Sequence, residues 1–396
     1  MMMKNTSRAA GRGHAGGFSL IELMVAMAIG LLCTLVIASV LSVTEGQRRG
    51  TTSGADAQIG GSLALYAVQR EVAMAGYGFA SEPNAVGCNL QARFNGAVVT
   101  ALPAQLAPVF ITQGGAGVSD QVRVLASSKY IMGNGNANQV GYAVATRVIP
   151  PMYDPVSADL TQRGQYNVWS TMGIRAGDLM VAVINADANC SVFEAAQTPI
   201  AAKVLPLVTN AARWNPAGFP AEATQIRCVD LTERCAPLNN TGSLLVNMGS
   251  IVDVIFSIDA QQRLVASRLD TAAMARNIQI LQGNIVMMKA MYGRDTNDDG
   301  AVDTYDYTQP TNSTEWARVL SVRIAVVARS TQYERDVVTA SAPVWVVGNA
   351  AQVAGAETCG ESSCVSLPVT GLSDWQHYRY KVFDTVVPLR NQRWKS

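Results

Sequence analysis

One short stretch carries the most specific chemistry in this sequence. Asp295, Asn297 and Asp299 stand two residues apart, Gly300 follows, and Asp303 and Asp306 complete the span. Side-chain oxygens at positions 1, 3, 5, 9 and 12, with the Ala301 carbonyl at position 7, have the spacing of a calcium-binding loop. Alternation turns the oxygens toward one point, and glycine at position 6 permits the sharp bend. Carboxylates this close repel one another unless a cation neutralises them. Position 12 is aspartate rather than glutamate, which shortens the reach for two-oxygen coordination. A solvated acidic turn without an ion is the competing reading.

Glu22 is the second group. It is the only charged residue in the run that starts at Phe18 and ends at Val43. At 1.5 Å of rise per residue such a run spans the roughly 30 Å of bilayer hydrocarbon. An ionised side chain inside a membrane helix costs about 2.5–3.5 kcal/mol on insertion scales, so it needs a partner or a route to the headgroups. Residues 1–17 carry Lys4, Arg8 and Arg12 and no acid, which predicts a cytoplasmic N-terminal flank and an exported remainder. An ordinary secretory signal has a shorter apolar segment. A lipoprotein signal needs a small residue before its cysteine, and Leu32 precedes Cys33. A third reading is a cut on the cytoplasmic side, between Gly17 and Phe18, that keeps the helix and frees an amino group one turn from Glu22.

Cysteine chemistry follows from export. Of seven cysteines, Cys33 lies in the apolar run, leaving Cys88, Cys190, Cys228, Cys235, Cys359 and Cys364. Proximity suggests disulfides Cys228–Cys235 and Cys359–Cys364, with Cys88–Cys190 as the long bridge, although six cysteines allow 15 connectivities. Unpaired buried thiols are the alternative. None of these spacings makes a CxxC motif, and no histidine stands nearby to complete a zinc site. The chain has only two histidines, His14 and His377, and no G-x-S-x-G or HExxH, so no enzyme is expected. A net charge of +1 with scattered Arg and Lys gives no field for nucleic acid.

The elements that must position these groups are legible in part. Leu65, Val68, Val72, Ala75 and Phe79 recur on one face of an amphipathic helix, which Gly76 and Gly78 should end. Gly50, Gly54, Gly60 and Gly61 predict a bent or locally melted junction between this helix and the apolar one. The middle of the chain reads as an irregular, mostly β region, with strands expected at 122–126, 178–184, 243–248 and 252–258. Ile278, Leu281, Ile285, Met288 and Tyr292 fall at helical spacing ahead of the acidic loop. Leu320, Val322, Ile324 and Val326 alternate with Ser321, Arg323, Ala325 and Val327 as a strand with one apolar face. A final strand is expected in HYRYKVFDTVVPLRNQRW, with Pro388 at its edge or end. Trp375, Tyr378, Arg379 and Tyr380 either edge that strand or mark a binding surface.

The residues G-F-S-L-I-E-L-M-V-A-M-A-I-G-L-L resemble the type IV prepilin signal. The stretch from Tyr292 to Asp303 and the run YRYKVF…VPLRN further resemble PilW-type minor pilins, and in outline the J-type pseudopilins of type II secretion. The resemblance covers residues 13–45, about 285–330 and 376–391. It implies an α+β fold, with a long membrane-spanning helix packed on a mostly antiparallel pilin-like head. Residues 1–17 would be the cleaved leader, 18–50 the transmembrane and assembly helix, 51–80 its amphipathic continuation, and 81–396 the β-rich head. It also implies cleavage by prepilin peptidase after Gly17, N-methylation of Phe18 and an assembly role for Glu22. The implied partners are other minor pilins, the major pilin, an inner-membrane assembly platform and a tip adhesin. The implied course runs from single-pass inner-membrane protein with a periplasmic head to extracellular pilus subunit, working in motility and adhesion near the filament tip. A membrane-anchored calcium-dependent binding protein outside any filament is the alternative from another class.

Overall fold

The structure, a computed structural model, describes residues 17, 19–82, 85–115, 117–129, 145–147, 165–168, 170–183, 189–195, 204–206, 213–214 and 244–392. Two compact units are Met1–Gly54 and Ala55–Ser396. Within the first, Leu20–Ser42 has a mean hydropathy of 2.6 and is fully exposed. That is the surface expected of a helix whose solvent is lipid. The hydroxyls of Thr34, Ser39 and Thr44 donate to the carbonyls of Leu31, Val36 and Val40, so no hydroxyl among these three faces hydrocarbon unpaired.

The helix runs unbroken from Leu20 to Ala73. Of the bend or local melting expected at the four glycines, the melting does not occur. A glycine inside a helix lowers its stability by about 1 kcal/mol relative to alanine, but it permits close packing. In the second unit that packing is visible, because a Cβ on Gly61 would lie 2.1 Å from the Phe383 ring and 3.0 Å from the Ala328 methyl. The face predicted from spacing is the buried one: Leu65, Val68, Val72, Ala75 and Phe79 all enter the main core. After Ala73 the chain turns at Gly76, whose φ of +75° would strain any side chain.

Among the described residues the head holds three five-stranded sheets. One orders Ala275–Gly283, Arg263–Asp270, Val252–Ile258, Gln121–Ala126 and Val109–Thr112, antiparallel throughout. A second orders Gln352–Val353, Thr304–Asp306, Ile285–Arg294, Val319–Arg329 and Tyr380–Pro388. It is antiparallel except where Thr304 and Tyr305 pair in parallel with Gln352 and Val353. A third contains Leu179–Val183 and Leu244–Gly249. All four strands expected in the middle region are therefore present, and Pro388 closes an edge strand as expected.

The helix expected over 278–292 is instead two strands, Ala275–Gly283 and Ile285–Arg294. A bulge explains the misreading. Pairing of the second strand with Val319–Arg329 shifts between Ile285 and Met287. Ile285, Met288, Ala290 and Tyr292 then face the main core, whereas Val286, Met287 and Met291 face a separate cluster around Trp345. The extra residue converts a period of two into an apparent step of three, which imitates helical spacing. Ile278 lies outside this face altogether, 72% exposed. A second shift, between Gly293 and Arg294, puts Val319 rather than Leu320 on the core face of the partner strand.

Candidate functional site

At the N-terminus, Ser19 precedes the first helical residue and Glu22 stands three positions on. The Ser19 backbone N–H donates to the Glu22 carboxylate at 3.2 Å. This is the return half of a capping box, and it gives the acid a partner in its own chain. Gly17 is exposed, while Phe18, the expected cleaved and methylated residue, lies outside the described residues. Cys33 is free and exposed on the same helix.

The acidic loop joins two antiparallel strands of the second sheet, with no helix on either side. Asp295 is buried at its base, and its two carboxylate oxygens accept the N–H groups of Asp299 (3.2 Å) and Gly300 (2.7 Å). The Asn297 side-chain Oδ1 accepts Asp299 N–H at 3.0 Å, and the Asp299 carboxylate accepts Ala301 N–H at 2.8 Å. Asp303 folds back to accept both the N–H and the hydroxyl of Thr296, each at 2.7 Å. Those two bonds, the hydroxyl's first, hold its carboxyl below the ordinary range. Asp306 stands apart. It lies in the Thr304–Asp306 strand, its carboxylate 2.9 Å from Arg294 Nε. The loop thus spends its oxygens on its own N–H groups, and the position-12 acid is held by a cation of the protein. No group of three or more His, Cys, Asp or Glu side chains is gathered for a metal among the described residues. Spacing fits calcium better than the side-chain directions do.

Beneath the loop lies a buried prop that spacing did not identify as such. The Ile111 N–H donates to the Tyr292 hydroxyl at 2.7 Å, and the Tyr292 and Phe110 rings meet Trp316 edge-on. Burial pushes the Tyr292 phenol far above its ordinary value. Charge pairs brought together by the fold hold the sheets: Lys289 with buried Asp120 at 2.8 Å, and Arg123 and Arg276 on buried Asp253. These partners lie far apart in sequence, so no local pattern announces them.

Cys88 bonds to Cys190 across 102 residues, and Cys359 to Cys364 across 5. Cys228 and Cys235 lie outside the described residues. Of the C-terminal aromatic and basic group, Tyr380 opens the final strand, Arg379 pairs with Glu334 at 2.6 Å, and Tyr378 lies under Arg329. His377 stacks on Tyr333 and its Nδ1 lies 2.8 Å from the Glu334 carbonyl.

Residues 254–391 match the family described as type IV pilus-assembly protein W, and residues 12–38 match the prokaryotic N-terminal methylation motif. The first match spans the bulged strand, the acidic loop and the edge strand; the second spans Gly17 and Glu22. No curated protein and no solved structure matches the chain. The apolar helix behind a methylation motif anchors the chain in a membrane. One motif at the start of the helix and the other across the last sheet together support a PilW-type pilin of the type IV pilus family.

Proposed function

We propose that this chain is a low-abundance subunit that primes assembly of a type IV pilus and sits near its tip, serving motility and adhesion. The observation that carries the reading is the joining, in one chain, of the methylation motif at 12–38 with the PilW region at 254–391. On this reading prepilin peptidase cuts after Gly17, the new Phe18 amine is methylated, and the head stands in the periplasm until assembly. Glu22 then exchanges its Ser19 contact for the amine of a neighbouring subunit, which sets axial register. The exchange relieves the helix of a charge that is expensive in lipid. The partners are the major pilin, other minor pilins, the assembly platform and a tip adhesin. The role is structural, in keeping with the pilin family, and not catalytic.

A J-type pseudopilin of type II secretion is the nearest rival. Deleting the gene separates them: loss of surface pili and twitching with intact secretion supports the pilus, and the reverse supports the secretion system. A membrane-anchored calcium-dependent binder outside any filament would leave both intact.

We propose in addition that the 295–306 loop takes a calcium ion, on the strength of its ligand spacing. Asp295, Asn297, Asp299, Asp303 and the Ala301 carbonyl would hold it, and Asp306 would join only by leaving Arg294.

A further inference from the structure

Within the second unit, a cleft of ≈ 290 Å³ opens between helix residues 56–60 and strand ends at 282–284 and 328–331. Arg329 forms part of its wall. Its Nε is shielded from solvent and has no hydrogen-bond partner. The guanidinium carbon lies 4.2 Å from the centroid of the Tyr378 ring, so stacking holds the group in place. Among the described residues the half-buried guanidinium enters no hydrogen bond or ion pair, and its nitrogens other than the shielded Nε are left for an incoming acceptor.

The cleft gathers other unused groups. The side chains of Gln282, Asn284 and Thr331 line it, and none has a hydrogen-bond partner among the described residues. Gly60 makes this possible on the helix side, since a Cβ there would come within 2.9 Å of Gln282 Nε2. Lys381 sits on the next strand, paired with Ala328, and reaches Gln58 at 3.1 Å, adding positive charge nearby. Asp56 is the one acid in the lining, and it is exposed at the rim, where water screens it. The volume lies just below the range for small-molecule sites, about 300–1,000 Å³. It suits a single side chain.

We propose that this cleft receives the carboxylate of an acidic side chain presented by a partner protein. The two Nη groups of the guanidinium supply paired donors matched to two carboxylate oxygens, and the amides of Gln282 and Asn284 supply more. The proposal does not rest on the filament reading, because binding is measured on the isolated chain.

The test uses the full chain in detergent at fixed ionic strength. Melting temperature is followed against N-acetyl-glutamate amide, its neutral glutamine counterpart, and acetate. The blocked glutamate should raise the midpoint in a saturable way where the blocked glutamine does not. Arg329→Gln should abolish the difference. Asp56→Asn, which removes the opposing rim charge and leaves Arg329 in place, should enlarge it. Equal effects of glutamate and glutamine on the native chain would overturn the proposal, as would an undiminished difference in Arg329→Gln. An unchanged or smaller difference in Asp56→Asn counts against it independently, should the arginine variant fail to fold. Acetate acting where blocked glutamate does not would assign the cleft to a free small acid instead.

Discussion

Asp303 shows what a single carboxylate contributes to the loop. Its bonds to Thr296 lower its pKa from the ordinary 3.8, so the folded state favours the ionised form. A depressed pKa contributes stability that is full above the unfolded value and lost as pH falls through the folded one. The Thr296 amide resonance should therefore titrate with a midpoint below 3.8; a midpoint at or above it would mean the contact does not form in solution. Calcium is the second prediction at this scale. Calorimetry on the full chain should give saturable heat at millimolar calcium, and Asp295→Ala should remove it. No heat, or equal heat after the substitution, would leave the loop as a self-satisfied acidic turn. The positions of these oxygens were legible because ligand spacing is local. Their present directions were not, since Arg294 and the loop's own N–H groups compete for them only once the hairpin has formed.

At the scale of elements, close approach explains why glycine stands where a helix would prefer alanine. Gly61→Ala should gain about 1 kcal/mol in helix propensity but lose about 1–3 kcal/mol by pushing into Phe383 and Ala328. The net expectation is destabilisation in chemical denaturation. Gly54, with nothing within 4 Å of its built Cβ, should show the propensity gain alone. Equal effects at the two sites would contradict the packing account. Sequence periodicity recovered the helix face at 65–79 and the strand at 319–329 because each keeps one period over several residues. It failed over 278–292, where a turn and a bulge together counterfeit the helical repeat. Gly61 was read for its propensity alone, because the ring and methyl that press on it come from strands more than 250 residues away.

For the whole molecule, a disulfide joins segments distant in sequence. The Cys88–Cys190 bridge ties the segment just after the helix to the third sheet, closing a loop of 102 residues. Loop-closure entropy for such a span gives a stabilisation of about 4–5 kcal/mol, with native bridges commonly contributing about 2–5. Cys190→Ser should lower stability by that order, whereas opening Cys359–Cys364, a loop of 5 residues, should have a smaller effect. The class of the molecule was legible from its first helix and last sheet, the two regions that the family comparisons also match. The central region was legible only as strands, because its sheet partners are set by contacts across the whole head.

The central claim is that Glu22 carries the subunit into a filament. The direct measurement is the amount of this chain in filaments sheared from the cell surface, beside the amount left in the membrane. The native chain should appear in the sheared fraction far below the major subunit. Glu22→Ala should leave the membrane pool intact and remove the chain from the filaments. Glu22→Ala found in sheared filaments at the native level, or a native chain never found there, would contradict the account.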